Sequence, residues 1–170
     1  MLNKSEIKTL IEQKKLIEGY INLDIQLTPN GFDLTVAKIF AFAKSGAFDF
    51  SNKERILPET KELISKKINP SDKFGWWNLK EGTYKIRTNE TVNLPNDLVA
   101  LAFSRTSALR MGAFTQHGVW DAGFCGRGEF ILEVGNPKGI KLKQNCRIAQ
   151  LVFLKANATE SYQGIYKNLR

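Results

Sequence analysis

Residues 103–133 read FSRTSALRMGAFTQHGVWDAGFCGRGEFILE, and this stretch decides how the rest of the chain is interpreted. Its first part brings arginines and hydroxyl side chains together: Ser104, Arg105, Thr106, Ser107 and Arg110. Guanidinium and hydroxyl donors at the start of a short helical turn can hold several phosphate oxygens at once. The stretch therefore predicts a phosphate site. The alternative is that both arginines only cap or cover local structure.

A single carboxylate follows this cationic corner. Asp121 stands in the segment GVWDAG, residues 118–123, between glycines and next to Trp120. A tight turn presents such a side chain to a ligand, whereas a carboxylate on a helix or strand surface is usually just solvated. The acid therefore favours a functional site over simple capping by the arginines.

Length and composition indicate one domain, residues 1–170, because 170 residues with 42% hydrophobic and 11% aromatic side chains can build one core. No apolar run approaches the length of a membrane span. The chain opens with a charged amphipathic stretch and shows no signal peptide. We therefore expect a cytoplasmic protein without a membrane partner.

The net charge of +8 suits an anionic ligand. The lysines are scattered along the sequence and do not form a basic stripe with interleaved aromatics, so we expect no nucleic-acid partner. The two cysteines, Cys125 and Cys146, lack ligand spacing, and the single His117 cannot complete a zinc site. Zinc-dependent deamination of a base is thereby excluded.

Hydrophobic spacing predicts a chain made mostly of strands. Ser5 is the expected N-cap of a short N-terminal helix. Apolar residues alternate over residues 21–27 and again over 32–36, on either side of a Pro-Asn-Gly turn, which predicts two strands. Beyond Gly82, strand signals recur at short intervals with turns between them. The prediction is an all-β barrel or jelly-roll-like sandwich.

Two segments are less regular. Residues 44–72 are polar and predict a long connection. A short helix at residues 59–67 is one interpretation of this segment. The C-terminal arm, about residues 157–170, carries Tyr162, Gln163 and Lys167, which suit an arm that stacks on a ligand and contacts phosphate. A frayed terminus would have the same composition.

Four motifs, in this order, resemble those of the dUTPase and dCTP deaminase superfamily: residues 30–36 (NGFDLTV), 104–112 (SRTSALRMG), 118–124 (GVWDAGF) and 147–153 (RIAQLVF). The resemblance covers the whole chain. It is closest to the archaeal-type dUTPase branch, which shares the turn NPKG at residues 136–139 and the tail YQG at residues 162–164.

The resemblance implies a distorted jelly-roll subunit, a homotrimer with sites at subunit boundaries, and Mg²⁺ carried in by the triphosphate without direct protein ligands. By position, Asp121 would orient and deprotonate the attacking water, and Arg105, Ser107 and Gln150 would contact phosphates. Asp33 stands at the motif-one position, where it would either support the metal-water or catalytic network or stabilise the turn as a buried acid.

The implied reaction is hydrolysis of dUTP to dUMP and pyrophosphate. In the family, backbone groups of the turn that includes Gly118 and Val119 recognise uracil. Phe124 would pack on the deoxyribose and disfavour a 2′-hydroxyl.

Two other functions stay open. One is dCTP deamination, alone or together with dUTP hydrolysis, for which Glu133 stands at the position of the proton-moving glutamate and Arg110 completes the motif-two pattern. Against it, the segment between Asp121 and Glu133 is two residues longer than in deaminases, and the turn lacks their Ala-His-Arg lead-in. The other is a non-catalytic nucleotide sensor or β-rich interaction module, which would not need the acid at position 121.

Overall fold

The computed structural model describes residues 1–157 and 160–167. In these residues the elements are, in chain order, α1 (Lys4–Lys14), β1 (Ile17–Glu18), α2 (Leu23–Gln26), β2 (Leu27–Thr28), β3 (Gly31–Phe42), β4 (Thr60–Leu63), β5 (Trp76–Leu79), β6 (Gly82–Asn93), β7 (Leu98–Ser104), α3 (Thr106–Arg110), β8 (Ala113–Gln116), β9 (Cys125–Val134), β10 (Ile140–Lys143) and β11 (Arg147–Lys155).

One antiparallel sheet organises the molecule. Its strands follow the order β7-β11-β3-β6-β9-β8, with β1 on β6 and with β2 and β4 on β3. A separate two-stranded sheet joins β5 to β10. The first strand of the long path, β7, meets the segment that follows the last strand, β8, where Ala100 and Trp120 exchange backbone hydrogen bonds of 2.9 and 3.0 Å. The sheet is thus nearly closed into a barrel, and the predicted all-β fold class is confirmed.

The barrel interior holds the hydrophobic core. Because side chains of a strand alternate between its two faces, one face of each long strand points inward. Phe32 and Leu34 of β3, Ile86 of β6, Leu132 of β9 and Phe153 of β11 have no exposed surface. Removing this apolar surface from water is the main force that holds the strands around a common axis.

The short N-terminal helix is confirmed, but it begins earlier than its predicted cap. Asn3, and not Ser5, is the N-cap: its side chain accepts from the backbone N–H groups of Ser5 and Glu6, and Glu6 closes the capping box. Ile7 and Ile11 are buried against the barrel. Within the described ranges, no helix has both the length and the apolar character needed to span a bilayer.

Two local predictions were wrong for physical reasons. Residues 21–27 form the short helix α2 and the start of β2, because Asn22 caps Ile25 and the buried Gln26 side chain accepts from the N–H groups of Ile21 and Asn22. Residues 60–63 form β4 rather than a helix, because this segment pairs with Ile39–Phe42 of β3. In both places, contacts with neighbouring residues outweigh the local sequence pattern.

Candidate functional site

Three of the four motifs meet at one end of adjacent strands. Gln150 of β11 is paired with Asp33 of β3 on one side and with Phe103 of β7 on the other. Ser104, the last residue of β7, is paired with Ala149. Motifs one, two and four, which lie far apart in sequence, therefore form one corner of the barrel.

The carboxylate of Asp33 is the centre of this corner. Its side chain is only 3% exposed. Its Oδ2 accepts from Arg147 Nη1 at 3.1 Å and forms an ion pair with Arg105, whose Nε lies 2.9 Å away. Burial raises the pKa of Asp33, and the charges of Arg105 and Arg147 lower it in part. This geometry favours the buried structural role for Asp33 over a place in a metal-water network, because both arginines are bound to one of its oxygens.

Arg105 keeps donors for a ligand despite this ion pair. Beyond Asp33, its Nη1 donates to the backbone oxygen of Arg147 at 3.2 Å. A guanidinium has five N–H groups, so these two contacts leave three of them available. Its side chain is 26% exposed, so the free groups can reach solvent or a bound anion.

The short helix α3 presents the remaining motif-two side chains. Ala108 is buried and holds the helix to the barrel, whereas Thr106, Ser107 and Arg110 are exposed. Arg105 is the N-cap residue in an extended conformation. The corner therefore offers hydroxyl and guanidinium donors on one accessible surface.

Two side chains that were predicted to contact phosphate, Ser104 and Gln150, form hydrogen bonds to other residues of the protein. Ser104 Oγ accepts from the backbone N–H of Thr115 at 2.7 Å. Gln150 Nε2 donates to the hydroxyl of Thr28. Each side chain would have to exchange or share these bonds to contact a phosphate.

The turn that carries Asp121 is built around glycine and aromatic packing. Gly123 has a φ of 75°, and a Cβ there would lie 1.8 Å from Ser161 Oγ. Trp120 is 7% exposed and packs edge-on against Phe124, with ring centroids 5.3 Å apart. Asp121 itself is exposed. The turn is thus held by buried rings while its carboxylate stays accessible.

A cavity of about 480 Å³ lies beside this turn. Residues of the turn, of β9, of the β3–β4 region and of the C-terminal segment line it, including Phe42, Pro58, Gly118, Val119, Trp120, Phe124, Arg127, Glu129, Tyr162 and Tyr166. Its lining includes none of Ser104, Arg105, Thr106, Ser107, Arg110 or Gln150 among the described residues. One chain therefore does not combine the phosphate corner and the pocket.

The C-terminal segment lies on this turn of its own chain. Tyr162 donates its backbone N–H to Ala122 O at 2.8 Å, and its ring lies 5.6 Å from that of Phe124. Ser161 Oγ donates to Asn96 Oδ1 at 2.9 Å. Gln163 and Lys167 are outside the pocket lining. Residues 158, 159 and 168–170 of the predicted arm lie outside the described residues.

Glu133, the candidate deaminase residue, also lies outside the pocket lining. Its Oε2 accepts from the hydroxyl of Thr83 on the neighbouring strand β6 at 2.5 Å. The carboxylate that does line the pocket is Glu129, which forms ion pairs with Lys85 at 3.1 Å and with Arg87 at 2.7 Å. Neither side chain is a free acid facing the cavity.

Sequence reasoning named four of the lining residues as site residues, Gly118, Val119, Phe124 and Tyr162, and missed the others, among them Arg127, Glu129 and Tyr166. The alternation of β9 could have placed Arg127 and Glu129 on one face, but it could not show which face lines a cavity. Tyr166 repeats an aromatic ring four residues after Tyr162, a spacing that a helical turn would bring to one side. That spacing was the available signal.

The fold and these two surfaces define a class: an antiparallel β barrel with a cationic donor corner and a separate aromatic pocket whose turn carries an acid. The family model for dCTP deaminase-like proteins matches residues 1–156. The chain belongs to this family, as the four motifs predicted.

Several archaeal relatives are similar over most of the chain. A Methanosarcina mazei protein named "Probable deoxyuridine 5'-triphosphate nucleotidohydrolase" is 42% identical over 171 aligned positions, covering 99% of this chain and 96% of the relative. A Methanocaldococcus jannaschii protein named "Deoxyuridine 5'-triphosphate nucleotidohydrolase" is 36% identical, covering 84% of this chain and 87% of the relative.

A solved structure supports the fold. The 2'-deoxycytidine 5'-triphosphate deaminase from Agrobacterium tumefaciens superposes with a TM-score of 0.60 at 20% sequence identity. The superposition covers 89% of this chain and 47% of the deaminase chain. At this identity the similarity concerns the barrel architecture.

Proposed function

We propose that the protein is a dUTP diphosphatase, which hydrolyses dUTP to dUMP and pyrophosphate in pyrimidine deoxynucleotide metabolism in the cytoplasm. The observation that carries the proposal is that the chain presents both a donor-rich corner around Arg105 and, on a separate surface, an exposed acid, Asp121, beside an aromatic pocket. The archaeal relatives named above carry this activity in their names. A non-catalytic sensor would have no use for the acid.

The phosphate end of the substrate is assigned to the corner. Arg105 is held in place by Asp33 and still offers three N–H groups, a fork geometry that suits phosphate oxygens. The exposed side chains around it supply further donors: Thr106, Ser107 and Arg110. Ser104 would turn its O–H from Thr115 O to the phosphate while still accepting from Thr115 N–H, and Gln150 would exchange its bond to Thr28. A preorganised arginine loses less conformational freedom on binding than a free one.

The pyrimidine end is assigned to the turn and the pocket. Among the described residues, no internal hydrogen bond uses the backbone groups of Gly118 or Val119. These groups can pair with the edge of uracil, which presents one N–H and two carbonyl oxygens. Phe124 lines the same pocket and is assigned to the deoxyribose, and Tyr162 closes the pocket over it.

Asp121 is assigned to the attacking water. It is exposed and immediately follows Trp120, a residue of the pocket wall. A carboxylate within hydrogen-bond reach of a water can orient it and accept its proton as it attacks the α-phosphorus. When bound to the triphosphate, Mg²⁺ would neutralise phosphate charge.

The ligands of Mg²⁺ are assigned to the substrate and to water. In the described part of the chain, no three His, Cys, Asp or Glu side chains come together as a metal site. Asp33, the acid nearest the phosphate corner, is already bound by Arg105 and Arg147. Phosphate oxygens and water would therefore supply the ligands of Mg²⁺.

We further propose a homotrimer in which neighbouring copies complete each site. The pocket of one chain includes the turn with Gly118 and Phe124 but none of the phosphate-corner side chains. A nucleoside triphosphate needs both surfaces at once. The corner of a second copy, placed against the pocket of the first, would supply the missing half.

dCTP deamination is the second candidate, and the fold of the Agrobacterium tumefaciens deaminase is what favours it. It requires an acid able to move protons at the pyrimidine ring. Glu133 is bonded to Thr83 outside the pocket, and Glu129 is neutralised by two cations. These contacts favour dUTP hydrolysis.

The decisive assay measures pyrophosphate and ammonia separately. Purified protein is incubated with Mg²⁺ and either dUTP or dCTP. We expect pyrophosphate from dUTP and no ammonia from dCTP. Asp121→Asn should abolish pyrophosphate release, whereas Asp97→Asn, which changes an exposed acid elsewhere, should not. Ammonia from dCTP would support the deaminase, and the absence of both products would support the sensor.

A further inference from the structure

The barrel seam between β7 and β8 contains an irregularity beside the pocket. These strands end the path of the long sheet, and Ala100 of β7 forms an isolated bridge with Trp120, four residues after the end of β8. At the other end of the seam, Ser104 and Thr115 bond to each other. Between these two contacts β8 ends at Gln116, and His117, Gly118 and Val119 form a seam loop that belongs to no strand and leads to Trp120.

The seam loop supplies part of the pocket wall. The residues between Thr115 and Trp120 that leave the strand are His117, Gly118 and Val119. Gly118 and Val119 line the cavity, and the ring of His117 lies 4.2 Å from that of Phe130, another lining residue. The position at which the chain leaves β8 therefore sets the position of the Gly118 and Val119 backbone, which is assigned to uracil.

A series of side-chain hydrogen bonds holds the start of the seam loop. Thr115 Oγ1 lies 2.8 Å from His117 Nε2 and 3.1 Å from Ser104 Oγ. Ser104 Oγ donates to Thr115 O at 3.3 Å and accepts from Thr115 N–H at 2.7 Å. Thr115 is 6% exposed, so water does not compete with these bonds.

One buried nitrogen without a partner decides which atoms donate in this series of hydrogen bonds. His117 Nδ1 is buried and has no hydrogen-bond partner among the described residues. A buried N–H without an acceptor is more costly than a bare nitrogen, so the proton belongs on Nε2. His117 Nε2–H then donates to Thr115 Oγ1, which donates to Ser104 Oγ. Each hydroxyl in the chain has both a donor and an acceptor.

We propose that Thr115 is a positioning residue for the pyrimidine base: its hydroxyl, held between Ser104 and His117, fixes where the seam opens and so places Gly118 and Val119. This inference rests on the proposed function. Thr115 does not line the pocket and acts only through the residues that it holds. Because the base does not react, misplacing its backbone partners weakens binding of substrate and transition state alike.

The test compares shape-matched variants in steady-state kinetics with dUTP. Thr115→Val removes the hydroxyl and keeps the branched shape, whereas Thr115→Ser keeps the hydroxyl. We expect Thr115→Val to raise KM about fivefold, the factor that one net hydrogen bond supplies, with kcat within about twofold. Thr115→Ser should restore KM. Thr83→Val, which removes a hydroxyl bonded to Glu133 instead, serves as the control and should match the wild type.

The contrary results are equally specific. An unchanged KM in Thr115→Val, or an equal loss in Thr115→Ser, would overturn the positioning role. If Thr115→Val fails to fold, His117→Phe provides the second test, because it keeps a ring on Phe130 and removes the bond to Thr115. His117→Phe should raise KM to a similar degree, and an unchanged KM would overturn the inference.

A measurement without substrate separates this inference from the proposed function. His117 is the one histidine of the chain, so nitrogen NMR of the imidazole reports on it alone. We expect the Nε2–H tautomer in the wild type and a changed Nε2 shift in Thr115→Val. The Nδ1–H tautomer would overturn the hydrogen-bond chain even in an active enzyme. If the wild type has the Nε2–H tautomer but does not hydrolyse dUTP, the diphosphatase proposal is refuted, whereas the hydrogen bonds from His117 through Thr115 to Ser104 are supported.

Discussion

The buried imidazole of His117 makes folding stability depend on pH in a calculable way. Burial lowers the pKa of His117 from 6.5 to about 4. Between pH 6.5 and about pH 4, His117 is therefore protonated in the unfolded chain but neutral in the folded chain. Stability is highest above pH 6.5 and falls as the pH falls towards 4.

The magnitude follows from the two pKa values. Relative to pH 8, this linkage lowers the free energy of unfolding by about 2 kcal/mol at pH 5 and by about 3 kcal/mol below pH 4. Asp33 and Glu90, whose pKa values burial raises, act in the opposite direction at acid pH. A comparison with His117→Phe cancels their contribution, because both proteins contain them.

The assay is urea unfolding of wild type and His117→Phe at pH 8, 7, 6 and 5, at one protein concentration. The variant loses the bond to Thr115, which lowers its stability by a constant amount. We expect the wild type to lose about 2 kcal/mol relative to the variant between pH 8 and pH 5. Parallel stability curves would show that the imidazole titrates normally in the folded protein and would refute the reasoning.

Three further substitutions test the site. Asp33→Asn removes the charged partner that Arg105 and Arg147 share. It should lower the free energy of unfolding by about 3 kcal/mol, which corresponds to roughly 6–12 °C in Tm. An unchanged Tm would contradict the role of Asp33 as the centre of these ion pairs. Asp121→Asn should keep the Kd for dUTP within about tenfold, measured calorimetrically, while hydrolysis is lost; normal turnover would assign the base elsewhere. Glu133→Gln should keep the rate of pyrophosphate release within about twofold, and a large loss would place Glu133 in the reaction.

Most of the correct predictions about family and fold came from the sequence motifs. Family and all-β architecture followed from four ordered motifs and from strand signals separated by turns, and both are confirmed. The donor corner could be predicted because Arg105 and Ser107 are neighbours in sequence. Turn composition likewise placed Asp121 in an exposed position.

The remaining features depend on contacts between distant residues. The sequence left two roles open for Asp33, since its ion pair with Arg105 joins residues 72 positions apart. The engagement of Ser104 by Thr115 arises only because the end strands of the barrel meet. Residues 21–27 look like a strand by alternation, yet the buried Gln26 amide fixes a helical turn there. Local patterns do not encode such long-range partners.

Isotope labelling tests the central claim, water attack on the α-phosphorus of dUTP assisted by Asp121, most directly. Purified protein is incubated with dUTP and Mg²⁺ in water enriched in oxygen-18, and the products are weighed by mass spectrometry. We expect dUMP with one heavy oxygen and unlabelled pyrophosphate, and no products from Asp121→Asn. Label in the pyrophosphate, or labelled dUMP from Asp121→Asn at the wild-type rate, would contradict it.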